Sequence, residues 1–219
     1  MTYLEAVNKV LLRLRENQVT TVQGTGNSNQ YARLIGEFVN EAKAQVESAW
    51  NWSTLRSVVE ITTSAGVYNY TLTGATNRSN VLAAYNDTSN FVMEYKDAAW
   101  FQEVFLLAQT QDGAPYNYTF NGVTTSDEQK VDVFPVPDGV YSLKFDLAIP
   151  NTSLSADSDV LYIPSRPVIL LATAMAIEER GEDGGQQSLN AYVAAKNALA
   201  DEIALDAARH PEETLWYSV

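Results

Sequence analysis

The chain has 219 residues and no cysteine, which excludes a disulfide framework, thiolate metal sites and a cysteine nucleophile. Its single histidine, His210, argues against multi-histidine metal sites and against a Ser-His-Asp triad elsewhere in the chain. Acidic residues outnumber basic residues by 27 to 14, and the net charge of −13 disfavours wrapping of nucleic acid on a basic face.

Two amphipathic helices are predicted before residue 52. The first runs from Thr2 to about Glu16, and Thr2 and Glu5 form a capping box at its start. The second runs from about Ser28 to Trp50, because apolar residues recur on one face at helical spacing. That face comprises Tyr31, Leu34, Ile35, Phe38, Ala42, Val46 and Ala49, and the opposite face carries Glu37, Lys43 and Glu47.

Between residues 51 and 150 the pattern changes to the alternation of apolar and polar residues that is typical of strands. Strands are predicted at residues 58–62, 67–72, 91–95, 116–120, 130–134 and 141–147. Ala65-Gly66 indicates a hairpin between the first two strands, and Asn121-Gly122 is a strong turn signal after the fourth. Asp97 is expected to cap one helix, over residues 98–108, whose apolar face carries Trp100, Val104 and Leu107.

Two further helices are predicted after a Ser/Asp-rich linker at 151–159. Ser165 can cap the first, which has Pro167 in its first turn and ends near Arg180 before Gly181. The last helix runs from about Gln186 to Arg209, and its predicted core stripe comprises Leu189, Tyr192, Val193, Ala200, Ile203 and Ala207. The opposite side carries Ala194, Ala198 and Leu205, which are the candidates for an interface with a neighbouring subunit. The alternative is that alanine is present there simply as the best helix former.

This order of elements predicts an α+β fold. The N- and C-terminal helices are expected to pack as an antiparallel helical bundle, with an antiparallel β region inserted between them. The predicted parts are residues 1–52 with the N-terminal helices, 53–150 with the β-rich insertion and one short helix, and 151–219 with the C-terminal helices and a tail.

The tail places large apolar residues where chains usually fray. Leu215, Trp216 and Tyr217 are candidates for docking into a groove on a partner, and folding back onto the same chain is the alternative. The acidic cluster Glu178, Glu179, Glu182 and Asp183 is best interpreted as a solvated helix end. His210 is best interpreted as a favourable charge at a helix end. No catalytic residue, cofactor site or metal site is expected.

Three short segments near the amino terminus form a recognisable pattern. Residues 6–11, Ala-Val-Asn-Lys-Val-Leu, open the first helix, and Val19 and Val22 lie in the loop that follows. The second helix ends in Ala49-Trp50-Asn51-Trp52. The pattern resembles the head-to-tail adaptor proteins of short-tailed bacteriophages, the tail tubular protein A, gatekeeper-like family, whose members usually carry a Gly-Trp-x-Phe-Asn type sequence at the end of the second helix.

The resemblance implies a structural virion protein and no enzyme. It implies a homo-oligomeric ring, typically of twelve subunits, that binds the portal protein beneath the filled head and extends the DNA channel. Such a ring would carry the tail nozzle protein, similar to tail tubular protein B, and in many phages the tail fibres. DNA would pass through without specific binding, and the protein would act in the virion neck after assembly in the cytoplasm of the host bacterium.

Two other functions stay open at this stage. One is a carboxylate-dependent cell-wall glycan hydrolase with Glu178 or Glu103 as the acid, although nothing in the sequence raises the pKa of one carboxyl group. The other is a monomeric module that binds a glycan or peptide through aromatic residues of the β region. Its candidates lie two residues apart in pairs: Tyr68 with Tyr70, and Tyr116 with Tyr118.

Overall fold

The fold is α+β, as the order of elements predicts. The structure is a computed structural model that describes residues 1–24, 27–107, 111–181 and 186–209. The chain divides into two compact units. The helical unit comprises Met1–Thr54 and Asn151–Val219, and the β unit comprises Leu55–Pro150.

Five helices and eight strands are present in the described part of the chain. The helices are α1 (Tyr3–Arg13), α2 (Asn27–Ala49), α3 (Ala98–Leu107), α4 (Ser165–Arg180) and α5 (Gln186–Ala207). The strands are β1 (Arg56–Thr62), β2 (Asn69–Thr76), β3 (Asn80–Asn86), β4 (Phe91–Val92), β5 (Glu94–Tyr95), β6 (Asn117–Val123), β7 (Glu128–Phe134) and β8 (Ser142–Ala148).

Helix α1 is capped at both ends by local hydrogen bonds. The predicted capping box is present, since the Thr2 amide donates to Glu5 Oε2 at 2.9 Å and the Glu5 amide donates to Thr2 Oγ1 at 3.2 Å. The helix ends three residues earlier than predicted, because Arg15 adopts a left-handed conformation with φ of 60°. The Arg15 and Glu16 amides then donate to the carbonyls of Leu12 and Leu11, which is the Schellman arrangement.

Helix α1 approaches α2 closely at a glycine. A Cβ atom added to Gly36 would lie 2.1 Å from the Tyr3 hydroxyl oxygen, so only glycine allows this approach. Tyr3 is 2 % exposed, and burial, with the nearby Glu37 and Asp157 carboxylates, raises its pKa to about 12.

The polar face predicted for α2 is wrong at two positions. Lys43 and Glu47 are 3 % and 4 % exposed, and their Nζ and Oε1 atoms lie 3.0 Å apart. Lys43 Nζ also donates to the carbonyl of Asn151 at 2.7 Å. A buried ammonium group needs such partners, because an unpaired charge in the interior is strongly destabilising. Both residues are buried because the segment after Asn151 lies against this side of the helix.

Hydrogen bonds from α1, α2 and the loop between them hold the segment at 151–164. Asn40 accepts from the Leu154 amide at 2.8 Å and donates to the Leu154 carbonyl at 3.0 Å. The Val22 amide donates to Asp157 Oδ1 at 2.9 Å, and the Tyr3 amide donates to the Asp159 carbonyl at 2.8 Å. The predicted linker is therefore an integral part of the helical unit.

Helix α4 contacts α1, α2 and α5. Ser165 is the first helical residue and makes no side-chain cap, so its predicted capping role is wrong. Gly181 ends the helix in the left-handed conformation, with φ of 63°, as predicted. Arg180, in the last turn, donates to the Tyr31 hydroxyl at 2.9 Å and to Glu16 at 2.6 Å, which links the end of α4 to α2 and the α1–α2 loop.

The β unit consists of two four-stranded sheets that share one core. The strand orders are β1-β8-β3-β4 and β2-β7-β6-β5. Core residues include Leu72, Val131 and Val133 from the second sheet and Leu143, Phe145 and Leu147 from the first. The predicted hairpin at Ala65-Gly66 is wrong, because β1 pairs with β8 and β2 pairs with β7 in different sheets.

Other details of the β unit also differ from the prediction. The region is not wholly antiparallel, since β5 and β6 pair in parallel through the crossover that contains α3. Strand β3 was not predicted. Asn121-Gly122 lies inside β6 at a register shift, with Gly122 at φ of 73°, and the reversal into β7 occurs at Thr124–Asp127 instead.

The ends of α2 and α5 are joined by one buried carboxylate, that of Asp206. It accepts hydrogen bonds from the Ser53 amide at 3.0 Å, the Ser53 hydroxyl at 2.5 Å and Trp50 Nε1 at 3.1 Å. Burial raises the pKa of Asp206, but the hydrogen bonds from Ser53 and Trp50 and the charge of Arg209 outweigh burial and hold the pKa below its ordinary value.

Replacing Asp206 with asparagine is expected to lower the free energy of unfolding by about 1.5–3 kcal/mol near neutral pH, because hydrogen bonds to a charged acceptor are lost. Because the pKa is depressed in the folded state, the Asp206 contribution is complete above about pH 4 and is lost as the pH falls through the folded-state pKa. Urea denaturation followed by circular dichroism measures the difference. Asp201→Asn is the matched control, because its exposed pair with Arg166 at 3.3 Å should contribute little. Equal effects of the two substitutions would contradict the assigned role.

Candidate assembly surface

One side of α5 presents a strip of apolar side chains to solvent. Leu189 and Val193 are 57 % and 51 % exposed, and Ala200 and Ala204 are also exposed. The spacing of these four residues places them on one face of the helix. We call these four residues the outer strip. Single exposed apolar residues are common on proteins, but two apolar pairs on one helix face, here separated by the exposed Lys196, make a candidate surface for another molecule.

The outer strip corrects the predicted core stripe of α5. Leu189, Val193 and Ala200 were expected to face the core, whereas Ala195 and Ala198 are buried there, at 3 % and 0 % exposure. Tyr192, Ile203 and Ala207 of the predicted stripe are half-buried. Helix α5 has many contacts with α4, and small residues at a helix contact allow the two backbones to approach closely. Alanine therefore fills the contact, and Leu189 and Val193 point outward.

The three predicted interface residues have different environments. Ala194 is exposed and Leu205 is 60 % exposed, so both are available to a neighbour. Ala198 is fully buried in the helical unit and is not part of its surface. Ala194 and Leu205 lie on the same side of α5, beside the outer strip, and we call them the side strip.

The tail residues predicted to dock on a partner, Leu215, Trp216 and Tyr217, lie outside the described residues. His210 and the acidic residues Glu182 and Asp183 also lie outside them.

Polar side-chain contacts link α4 to α5 and to α2. The Tyr192 hydroxyl donates to Glu178 Oε2 at 2.7 Å. Burial, this hydrogen bond and the negative charges of Glu178 and Glu41 raise the pKa of Tyr192 to about 12. The Arg180 guanidinium lies 5.0 Å from the centre of the Tyr31 ring, beside its hydrogen bond to the Tyr31 hydroxyl. These contacts orient α4 against α5 and against α2.

The acids considered for a hydrolase are both exposed. Glu178 accepts from Tyr192, and Glu103 lies on the solvent side of α3 in the β unit. Within residues 1–24, 27–107, 111–181 and 186–209, no cluster of histidine, aspartate and glutamate side chains could hold a metal ion. None of the helices in these ranges combines the length and the apolar character needed to cross a bilayer.

The residues that carried the resemblance have structural roles. Asn8 donates to the Val19 carbonyl at 3.0 Å and accepts from the Val19 amide at 2.9 Å, which closes the loop after α1. Val22 is fully buried. Trp52 is 1 % exposed and donates from Nε1 to the Val46 carbonyl at 2.8 Å. The motif residues therefore fix the loop before α2 and the segment that follows it.

In neither tyrosine pair of the β region, Tyr68 with Tyr70 or Tyr116 with Tyr118, do both side chains lie on the same face of a strand. Tyr68 and Tyr116 precede their strands and are 43 % and 42 % exposed, while Tyr118 is 7 % exposed in the core and Tyr70 is half-buried against it. The alternation rule applies only within a strand, so a spacing of two residues across a strand end does not place both side chains on one side.

Comparison with known protein families finds a match to this chain. The sequence model described as SU10 adaptor protein matches residues 1–214. No curated protein matches the chain.

An aspartate introduced on the buried side of α5 is expected to lower the free energy of unfolding much more than an aspartate introduced on its exposed side. Ala198→Asp should lower the free energy of unfolding by at least about 3 kcal/mol, because it places an unpaired charge in the helical unit. Val193→Asp, at a site 51 % exposed, should change it by less than about 0.5 kcal/mol. Thermal and urea unfolding of both variants checks this, and similar losses of stability would mean that the outer strip is not a free surface.

Proposed function

The chain belongs to the SU10 adaptor protein family, a phage head-to-tail adaptor family, and we propose that it forms the connector ring that joins the portal to the tail nozzle. The observation that carries this proposal is the family match over residues 1–214, which includes the first segment of the helical unit, the whole β unit and the second segment up to residue 214. Membership in this family supports a structural role in the virion tail and not a catalytic one.

In this proposal the four helices of the helical unit form an antiparallel bundle that makes the ring wall. A ring needs head-to-tail contacts, in which two different surfaces of each subunit meet. Helix α5 offers two such surfaces, the outer strip with Leu189 and Val193 and the side strip with Ala194 and Leu205. We propose that the outer strip of one subunit packs against the side strip of the next. Twelve subunits are the expected number for the ring.

The charge of the chain suits a conduit for DNA. Carboxylates repel phosphates, so a net charge of −13 favours sliding of the duplex over adhesion to the ring. Several of these acids are solvent-exposed on α5 or at the end of α4, among them Asp201 and Glu179. The ring would therefore extend the channel below the portal without binding DNA specifically.

The partners follow from the same proposal. The portal protein lies on one side of the ring and the tail nozzle protein on the other, and tail fibres attach in some phages. The ring assembles in the cytoplasm of the host bacterium and remains in the virion neck. The tail residues Leu215, Trp216 and Tyr217 are proposed to anchor the subunit on the portal.

Ring formation is expected to depend on the outer strip. Val193→Asp should leave a folded subunit that no longer forms rings, because a charge would replace an apolar contact in every subunit interface. Negative-stain microscopy of the variant mixed with its portal checks this. Val140→Asp is the matched control, since Val140 is 70 % exposed in the β unit and receives the same charge. Normal rings from Val193→Asp would exclude the outer strip from the interface.

Deleting residues 212–219 is expected to remove portal binding and to preserve the fold. Apolar anchors at a chain end contribute much of the binding energy when they fill a pocket on the partner. Co-sedimentation with the portal measures binding, and circular dichroism confirms that the truncated chain is folded. A truncated chain that binds the portal as well as the full chain would show that the anchor lies elsewhere.

A further inference from the structure

A cavity of about 390 Å³ lies in the β unit, between α3 and the outer face of the sheet β2-β7-β6-β5. Its lining divides into an aromatic part and a polar part. The aromatic part is formed by Tyr68, Phe101 and Phe105, and the polar part by Thr119, Asn121 and Asp132. Volumes of this size are typical of sites for small molecules. The cavity has no role in the connector function proposed above, and the inference does not depend on that function.

The polar part is built on a row of residues that crosses three strands. Asp132 of β7 lies opposite Asn69 of β2 on one side and Thr119 of β6 on the other. Residues 131 and 133 face the core, so Asp132 faces the opposite side, toward α3. Strand register thus places a carboxylate, an amide and a hydroxyl beside one another on the floor of the cavity.

The carboxylate is positioned by two amide groups. Asp132 is 8 % exposed, its Oδ1 accepts from Asn69 and its Oδ2 accepts from Asn121 at 2.8 Å. Each carboxylate oxygen has two lone pairs, so one on each remains to accept a hydrogen bond from a ligand. The two amide donors hold the carboxylate in place and stabilise its negative charge.

The hydroxyl of Thr119 is buried with its hydrogen-bonding capacity unused. Thr119 is 3 % exposed, and its Oγ1 atom has no partner among the described residues. Buried polar groups in proteins are nearly always hydrogen-bonded. An unpartnered hydroxyl in the lining of a cavity indicates that a ligand supplies the missing bond.

The aromatic part provides surfaces for an apolar ligand face. Tyr68 is 43 % exposed, and its ring lies 4.8 Å from the ring of Phe105, which supports it from the helix. The residues that line the cavity include no lysine or arginine. A phosphate or another anion would therefore meet the Asp132 carboxylate with no positive charge to offset it.

We propose that this cavity binds a neutral saccharide. A sugar ring has an apolar face of C–H groups, which stacks on Tyr68, and a rim of hydroxyl groups that both donate and accept. The lining offers both kinds of partner, because Asp132 accepts, the Asn121 side chain donates and accepts, and the Thr119 hydroxyl does both. A lysine or arginine side chain only donates, so it would leave the donor capacity of the Thr119 hydroxyl unused.

Titration of the full chain with methyl glycosides of glucose, galactose, mannose and N-acetylglucosamine, followed by saturation-transfer difference NMR, tests the proposal. At least one glycoside should bind, and Tyr68→Ala should weaken that binding about tenfold through loss of the stacking surface. Tyr85→Ala is the matched control, since Tyr85 is 42 % exposed in the other sheet and does not line this cavity. It should leave the affinity unchanged.

Thr119→Val separates binding from folding. It keeps the shape of the side chain and removes only the hydroxyl, so it should abolish or weaken glycoside binding while the melting temperature stays equal or rises. A fall in melting temperature would instead mean that the hydroxyl has a partner within the fold, which contradicts the proposal. Absence of binding by all four glycosides would overturn it, as would equal binding by wild type and Tyr68→Ala. Binding of Nα-acetyl-lysine amide without any glycoside would also overturn it, in favour of a site for basic side chains.

Discussion

A buried ammonium group joins the two segments of chain that make the helical unit. Lys43 reaches from α2 to the Asn151 carbonyl, where the chain returns after the β unit, and Glu47 balances its charge one turn away. Bringing together the two ends of so long an insertion has an entropic cost, which grows only slowly with the length of the insertion. Part of this cost is met within the β unit, because the first residues of β1 pair with the last residues of β8 and so bring the ends of the insertion together. The return point is thus held by the helices and the insertion is closed by its sheet.

Helix α5 takes part in the fold and also presents exposed apolar side chains. Its contact with α4 is made by Ala195 and Ala198, so the helices approach closely with few large side chains. Leu189 and Val193 remain exposed, and their burial on association would be favourable by about 25 cal/mol for each Å² of apolar surface. Folding therefore leaves two of the larger apolar side chains of α5 in solvent, where association could bury them. This distribution fits a family whose members act in assemblies.

Local signals predicted the helices well and the sheet pairing poorly. The Thr2 and Glu5 capping box, the Asp97 cap, whose Oδ1 accepts from the Trp100 amide at 2.7 Å, and the glycine end at Gly181 each depend on a few neighbouring residues. Ala65-Gly66 correctly marks a bend, with Gly66 at φ of 77°, but a bend does not say which sheet the next strand joins. Strand β3 was not predicted because Ala83-Ala84 interrupts the alternation of apolar and polar residues that is seen in the neighbouring strands. Among the site residues, Leu205 and Ala194 were predicted as surface residues, while Ala198 was assigned to the wrong side.

The amino-acid sequence by itself determined the α+β class, the order of the helices, and the motif near Trp50 and Trp52 that resembles the adaptor family. These properties depend on periodicity and on short-range contacts, which a linear pattern contains. Only the tertiary structure decided that Lys43 is buried, that the outer strip of α5 is exposed, and that Asn69, Asp132 and Thr119 lie side by side beneath α3. A helix of alanines and scattered leucines has no unique apolar face, and strand register depends on partners far away in sequence. The identity of the neighbouring segment therefore determines which side of each element is buried.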